Sequence, residues 1–354
     1  MNSREKEQTD SVSLEDIRSN PGWVTYLSPF RFVVPDGEDP WSVSLDEINS
    51  NTYDHGKLCL IIDRLPTPLG PNLPMILCYD GGLAVPRTGL FYDKENAVEF
   101  FNITFCNLFL GGVLCRAIDT RDVVSGTLLN KHQLWPVGLG ESISTQLHAQ
   151  LRTRVAGSLN RIKLLNPQIL TLSNFRDAFS KGAAITASIP SLSPKFFILG
   201  VTELRNRNWS SALTNLWIVI EQLTDHLWNE KFLNDPEFHP VTEVAKRKRA
   251  LKEDNRTWST SVKHEILYQN GLLSEEALAF IFPARQERNA LVHGGKDVSA
   301  ESAIAACQGA IQLMQRCSSI QFDVEPNMYR SPDDELRRGK PIPDEPRFNY
   351  WKPA

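Results

Sequence analysis

The chain has 354 residues, 41% of them hydrophobic and 23% charged, the make-up of ordinary globular protein and not of disorder or coiled coil. With 38 Lys and Arg against 42 Asp and Glu, the net charge of −4 excludes a histone-like basic protein. It leaves room for a local basic groove, which needs only a local excess of positive charge. No run approaches the ~20 apolar residues of a membrane-spanning helix. Residues 1–20 are polar and hold no signal-peptide core, so a cytoplasmic protein without membrane contact is expected.

Residues 1–20 read as a flexible leader. From Trp23 onward, short apolar runs are broken by Pro and Gly. Phe30–Val34, Leu58–Ile62 and Met75–Tyr79 are β-branched or aromatic and bounded by turn residues, which predicts strands. Arg64–Pro74 carries four prolines and a glycine and reads as an exposed connection. Asp93 opens a helix with Val98, Phe101, Phe105, Leu108 and Phe109 in helical rhythm, stopped by Gly111 and Gly112. Val113–Ile118 reads as a further strand, and Ser142 to about Leu165 as an amphipathic helix. The six cysteines lie mostly in apolar runs without Cys-x-x-Cys spacing, so buried free thiols are expected and a zinc site is not.

After Pro194 every apolar repeat is helical. Phe196–Leu204 forms one segment, and Ala212–Leu227 a long second one with Trp217 and Trp228 beside its stripe. A basic helix over Glu243–Asp254 and another over Val262–Tyr268 follow. Ser274 caps the next helix, Pro283 is expected to kink or restart it, and Gly294-Gly295 ends it. Ser299–Cys317 is the last. The fold class expected is α+β, a mixed α/β domain over 21–190 followed by an all-α helical bundle over 191–323. The Pro-rich charged tail over 324–354 is expected to be disordered, although Tyr350-Trp351 could dock on the body.

Chemistry concentrates in Ala284-Arg-Gln-Glu-Arg-Asn-Ala-Leu-Val-His-Gly-Gly295. On a regular helix Arg288 and His293 point about 140° apart, since each residue turns ~100°; unwinding before the double glycine is needed to bring both to one cleft. Leu291 and Val292 are expected to anchor the segment in the core. A guanidinium forks onto phosphate oxygens and holds the charge that builds in a transition state. An imidazole takes or gives a proton near neutral pH. RNA supplies its own nucleophile, the 2′-hydroxyl, so this pair is suited to cutting RNA without a metal or cofactor. Asn289 can hold the histidine or the phosphate. The plain alternative is a His capping a helix end and a surface Arg paired with Glu287 or with a neighbouring helix.

Arg288-Asn-Ala-Leu-Val-His293-Gly resembles the Arg-polar-x-x-x-His motif of HEPN domains, closest to their Apea-like branch. Asn208–Leu223 resembles that family's long helix, on which Glu221 takes the place of an acidic residue facing the motif. The resemblance covers about 191–320 and not the N-terminal domain. It implies an endoribonuclease in which two chains pair so that both copies of Arg288 and His293 face one groove, a homodimer acting on RNA. It further implies a toxin or antiphage-defence effector, with 21–190 as a sensor of a trigger and an antitoxin or a phage-derived molecule as partner. Its alternative is a HEPN-like module that dimerises or binds RNA or protein without catalysis.

Lys246, Arg247, Lys248 and Arg249, with Arg285 near the motif, are the candidate RNA-binding residues. Residues 191–323 hold 15 Lys and Arg against 16 Asp and Glu, so RNA affinity must come from such clusters. Asp119-Thr-Arg-Asp122 and Asp333–Glu335 read as solvated charges, and His226, five residues after Glu221, as a core or surface residue. No Walker loop, dinucleotide turn or nucleophile elbow is present in the sequence.

Overall fold

The structure, a computed structural model, describes residues 20–38, 55–129, 133–138, 140–153, 168–234 and 257–330. It is mixed α/β, and the chain divides into two compact units, 1–108 with 115–180, and 109–114 with 181–354. The division at 180/181 falls inside the helix Leu172–Ala187.

In the first unit, six strands form one antiparallel sheet in the order β3-β4-β5-β1-β6-β7. They are β1 Pro21–Tyr26, β3 Ile61–Leu65, β4 Met75–Cys78, β5 Gly82–Pro86, β6 Val124–Leu129 and β7 Gln133–Pro136. Leu60, just before β3, bridges Gln133 at the start of β7. The two edges of the sheet therefore meet, which leaves fewer open strand edges. Register places Val24, Tyr26, Cys78, Ala84, Val124 and Leu134 on the inner face, where they pack as one buried cluster with Ile61 and Ile76. Gly126 is on that face because a Cβ there would lie 2.3 Å from a Val24 methyl. A second, parallel pair joins β2 Arg31–Val34 to β8 Gln168–Thr171.

Among the described residues, the helices α1 His55–Cys59, α2 Lys94–Leu110 and α3 Ile143–Thr153 lie before β8, and α4 Leu172–Ala187 follows it. The expected strand at Leu58–Ile62 is instead the end of α1 followed by the start of β3, an ambiguity inherent in a short apolar run. The expected strand at Val113–Ile118 does not form. The Asn102 side chain on α2 both donates to and accepts from the Ile118 backbone at 2.9 Å, holding that segment as a loop. The helix predicted from Ser142 is present as α3; its predicted continuation beyond 153 lies outside the described residues, as do the leader to residue 19, the Glu243–Asp254 helix, Asp333–Glu335 and the tail from 331. The start of the tail, expected to be disordered from 324, instead forms a short helix over Pro326–Tyr329 whose Met328 and Tyr329 are buried, because those apolar side chains pack on the body.

The second unit holds α5 Pro194–Arg205, α6 Trp209–Trp228, α7 Thr260–Gln269, α8 Glu275–Gly294, α9 Ala300–Ser318 and the short α10 Pro326–Tyr329. Helix α6 is central and packs against α5, α7, α8 and α9. Its buried positions run in 3–4 spacing from Ala212 to Trp228, the stripe a central helix requires. Close approach of helices is set by small residues: a Cβ on Gly200 would lie 2.6 Å from Leu216, and one on Gly309 2.9 Å from Ile281. The six cysteines are free, and all but the half-buried Cys317 are buried.

Candidate functional site

The motif helix α8 begins where the Ser274 hydroxyl accepts from the Ala277 N–H, with Glu275 and Glu276 favourably placed in the first turn. It runs through Pro283 as one α-helix, against the expected kink or restart. It stops at Gly295, whose φ of 62° is left-handed and whose N–H donates to the Leu291 carbonyl at 2.9 Å.

Arg288, Asn289 and His293 all lie on this helix. His293 is exposed in its last turn and Arg288 is half-buried, its Nη1 donating to Asn289 Oδ1 at 3.3 Å. The expected unwinding does not occur, because the Gly295 cap keeps the final turn helical. Within one chain Arg288 and His293 therefore diverge by the helical angle and do not share a cleft. Val292 is 57% exposed, not a core anchor, and Leu291 is half-buried. Nor does Arg288 pair with Glu287: that carboxylate accepts from the Ser299 N–H at 2.7 Å and its hydroxyl at 2.8 Å, joining α8 to the start of α9. Partial burial pushes the Glu287 carboxyl up, but the two Ser299 bonds outweigh it and leave it below its ordinary range.

Glu221 lies on α6, half-buried, and accepts from Trp217 Nε1 at 2.7 Å one turn earlier. No hydrogen bond or ion pair joins it to Arg288 or His293 among the described residues. His226 is half-buried and lines an open cleft of about 500 Å³ with Ser191, Asn229 and Glu230. Arg285 is half-buried with its guanidinium 5.4 Å from the Phe282 ring centre, a cation–π arrangement. Lys246, Arg247, Lys248 and Arg249 lie outside the described residues. Asp119–Asp122 forms a capping box on a short 3₁₀ turn, with Asp119 and Arg121 paired at 2.5 Å.

One face of α8 is left open. Phe282 (54% exposed), Asn289 and His293 fall along it at helical spacing, with Arg285 and Val292 on its flank, whereas Arg288 follows Ile281 and Ala284 on the packed side and is half-buried. The opposite side buries Ala277, Ile281 and Ala284. Two large apolar side chains beside an exposed imidazole form the kind of surface that association covers.

Two polar arrangements escaped the sequence reading. His264 is buried on α7, its Nε2 2.8 Å from the Thr224 hydroxyl, which itself donates to the Ile220 carbonyl. The ring nitrogen is therefore the donor to Thr224. Burial, with the Arg285 charge adding to it, lowers the His264 pKa to about 4. In the first unit, Asp80 is forked by Arg152 (2.7 and 2.6 Å) and contacted by His148 Nδ1 at 3.0 Å, all with side-chain exposures of 0–1%. Arg152 also donates to the Leu134 carbonyl at 2.7 Å, and the His148 ring stacks on Tyr26 at 3.8 Å. The signal was present: His148 and Arg152 stand four apart, one turn of helix, among Leu147, Ala149 and Leu151.

Comparison with family models, with curated proteins and with solved structures found no match to this chain.

Proposed function

We propose that this protein is a metal-independent endoribonuclease of HEPN type, acting as a toxin or antiphage-defence effector. The helices of the second unit are read as a HEPN-like bundle following an N-terminal α/β domain. The observation that carries the reading is the open face of α8, where the motif residues Asn289 and His293 lie beside exposed Phe282 and Val292. A second copy placed across that face covers the two apolar side chains. It also sets the Arg288 of one chain against the His293 of the other, which a single regular helix keeps apart.

In that arrangement one His293 accepts the 2′-hydroxyl proton as the 2′-oxygen attacks phosphorus. The partner's His293, protonated, donates to the departing 5′-oxygen. The products are a 2′,3′-cyclic phosphate and a 5′-hydroxyl end, with no metal required. Arg288 holds the non-bridging oxygens through charge-assisted bonds. Asn289, bonded to Arg288, sets the guanidinium, and Glu221 acts from α6 as a positioning residue.

The test is cleavage of single-stranded RNA by the purified chain in EDTA. Cyclic-phosphate ends are expected, and His293→Ala is expected to lower the rate by about 10²–10⁴-fold with an unchanged melting temperature. Cleavage that survives the substitution overturns the assignment.

A second reading is a non-catalytic dimerisation or binding module. The divergence of Arg288 from His293 within the chain, and the use of Glu221 by Trp217, favour it. It predicts no cleavage, with association through the α8 face intact in His293→Ala.

A further inference from the structure

A cavity of about 590 Å³ opens at one end of the six-stranded sheet of the first unit. Its floor is the inner face of the sheet, formed by Ile61, Ile76, Ala84 and Leu134. Small residues keep it open. Gly22 and Ala84 occupy inner-face positions on neighbouring strands, where a longer side chain would project into the space. The other end of the same interior is closed, because Arg152 fills it. A Cβ on Gly82 would come within 2.6 Å of Arg152 Nη2, and that guanidinium is fully engaged by Asp80 and the Leu134 carbonyl. The cavity is thus a half-open pocket with an apolar floor, and Arg64, Asn72, Arg87 and Thr88 belong to the polar part of its lining.

The mouth is polar and one-signed. Arg64 pairs with Ile76 across β3 and β4, and Ile76 with Ala84 across β4 and β5, so the Arg64 side chain stands on the inner face with the floor residues. A β-bulge between Ile61 and Asp63 turns it inward. Its guanidinium forms no hydrogen bond or ion pair among the described residues. Asn72 and Thr88 stand at the same mouth, and among the described residues none that lines the cavity is acidic. Arg87 adds positive charge, although its guanidinium lies over the Trp23 ring at 4.6 Å. The exposed Arg64 guanidinium presents five donors beside an apolar floor, an arrangement suited to a planar or tetrahedral anion. Apolar pockets of this size with a few fixed polar groups are the usual form of a small-molecule site.

We propose that this pocket binds a small amphipathic organic anion, its apolar body in the sheet interior and its carboxylate or phosphate on Arg64. The proposal rests on residues of the first unit alone and does not depend on RNA cleavage.

The test uses the full chain and anilinonaphthalene sulfonate, an anionic apolar probe whose fluorescence rises on binding. The probe is displaced with octanoate, octyl phosphate or octanol, which share a chain and differ in headgroup. Saturable binding at one site per chain is expected, with either anion displacing the probe at least about tenfold better than octanol, the size of one charge-assisted contact. The stronger anion identifies the headgroup. Arg64→Gln is expected to erase the preference over octanol, and Leu128→Trp, on the cavity wall, to remove probe binding; circular dichroism verifies the fold of both. Failure to saturate, equal displacement by octanol, or binding indifferent to both substitutions overturns the proposal.

Discussion

Asp80 and Arg152 have side-chain exposures of 1% and 0%, so removing either strands the other's charge in the interior. Arg152→Met or Asp80→Asn is expected to cost about 3–5 kcal/mol in urea unfolding. The double variant should lose less than the sum of the two, since it leaves no lone charge. Burial alone would raise the Asp80 carboxyl, but the Arg152 charge and hydrogen bonds, helped by His148, hold it well below the usual carboxylate range. A depressed carboxyl contributes stability that is present above about pH 4 and lost as pH falls further. His148 and His264 act in the same direction for a different reason. Burial lowers both, with Arg285 adding to the effect at His264, whose pKa falls to about 4. The unfolded chain takes up their protons near pH 6.5 and the folded chain resists. Stability is expected to be level near pH 7–8 and to fall between about pH 6.5 and 4. His264 accounts for about 3 kcal/mol of that fall, and urea midpoints for His264→Gln should show a shallower slope.

At the scale of elements, α8 and α9 are joined through one serine. Ser299 caps α9 by accepting from the Ser302 N–H at 3.2 Å, while its hydroxyl and N–H both bond Glu287 on α8. Ser299→Ala removes the cap and one bond to Glu287, so a loss of about 1–2 kcal/mol is expected, read as a lower thermal midpoint. Gly200 sets the spacing of α5 on α6. Gly200→Val would drive a branched side chain into Leu216, and overpacking of this kind costs about 1–3 kcal/mol. Pro283 offers a contrast. Its sequence signal is a break, yet α8 continues through it, because a helix whose Ile281 and Ala284 are buried on either side of the proline is held by packing.

At the scale of the molecule, the open face of α8 makes a prediction about assembly. On the proposed function, Phe282→Asp with Val292→Asp is expected to leave a folded monomer in sedimentation velocity and to abolish RNA cleavage, whereas His293→Ala should lower cleavage by about 10²–10⁴-fold and keep the dimer. Cleavage by the monomeric variant would show that no second copy is needed. The charge balance bears on the same question. Residues 191–323 are close to neutral, so on the proposed function RNA is held by a few clustered cations, and binding is expected to weaken as salt rises with a small slope.

The local chemistry of this protein was legible in its sequence. Helical rhythm marked α2, α5, α6 and α9, the Ser274 and Gly295 signals bounded α8, and apolar neighbours indicated buried thiols, because these follow from backbone preferences and side-chain spacing within one or two turns. Strands were legible only where a β-branched run stood between turn residues, as at β2 and β4. Pro21–Tyr26 and Gly82–Pro86 were missed, since their glycines and prolines read as turns although the sheet uses them to make room inside. Arg288 and His293 were visible as a motif, but their divergence was decided by a helix cap that closes the last turn. The Asp80–His148–Arg152 cluster joins residues 68 and 72 positions apart. The pocket behind Arg64 depends on a bulge and on six strands curling until their edges meet. Such features belong to tertiary structure alone, because pairing and burial between distant segments leave no spacing in the chain to read.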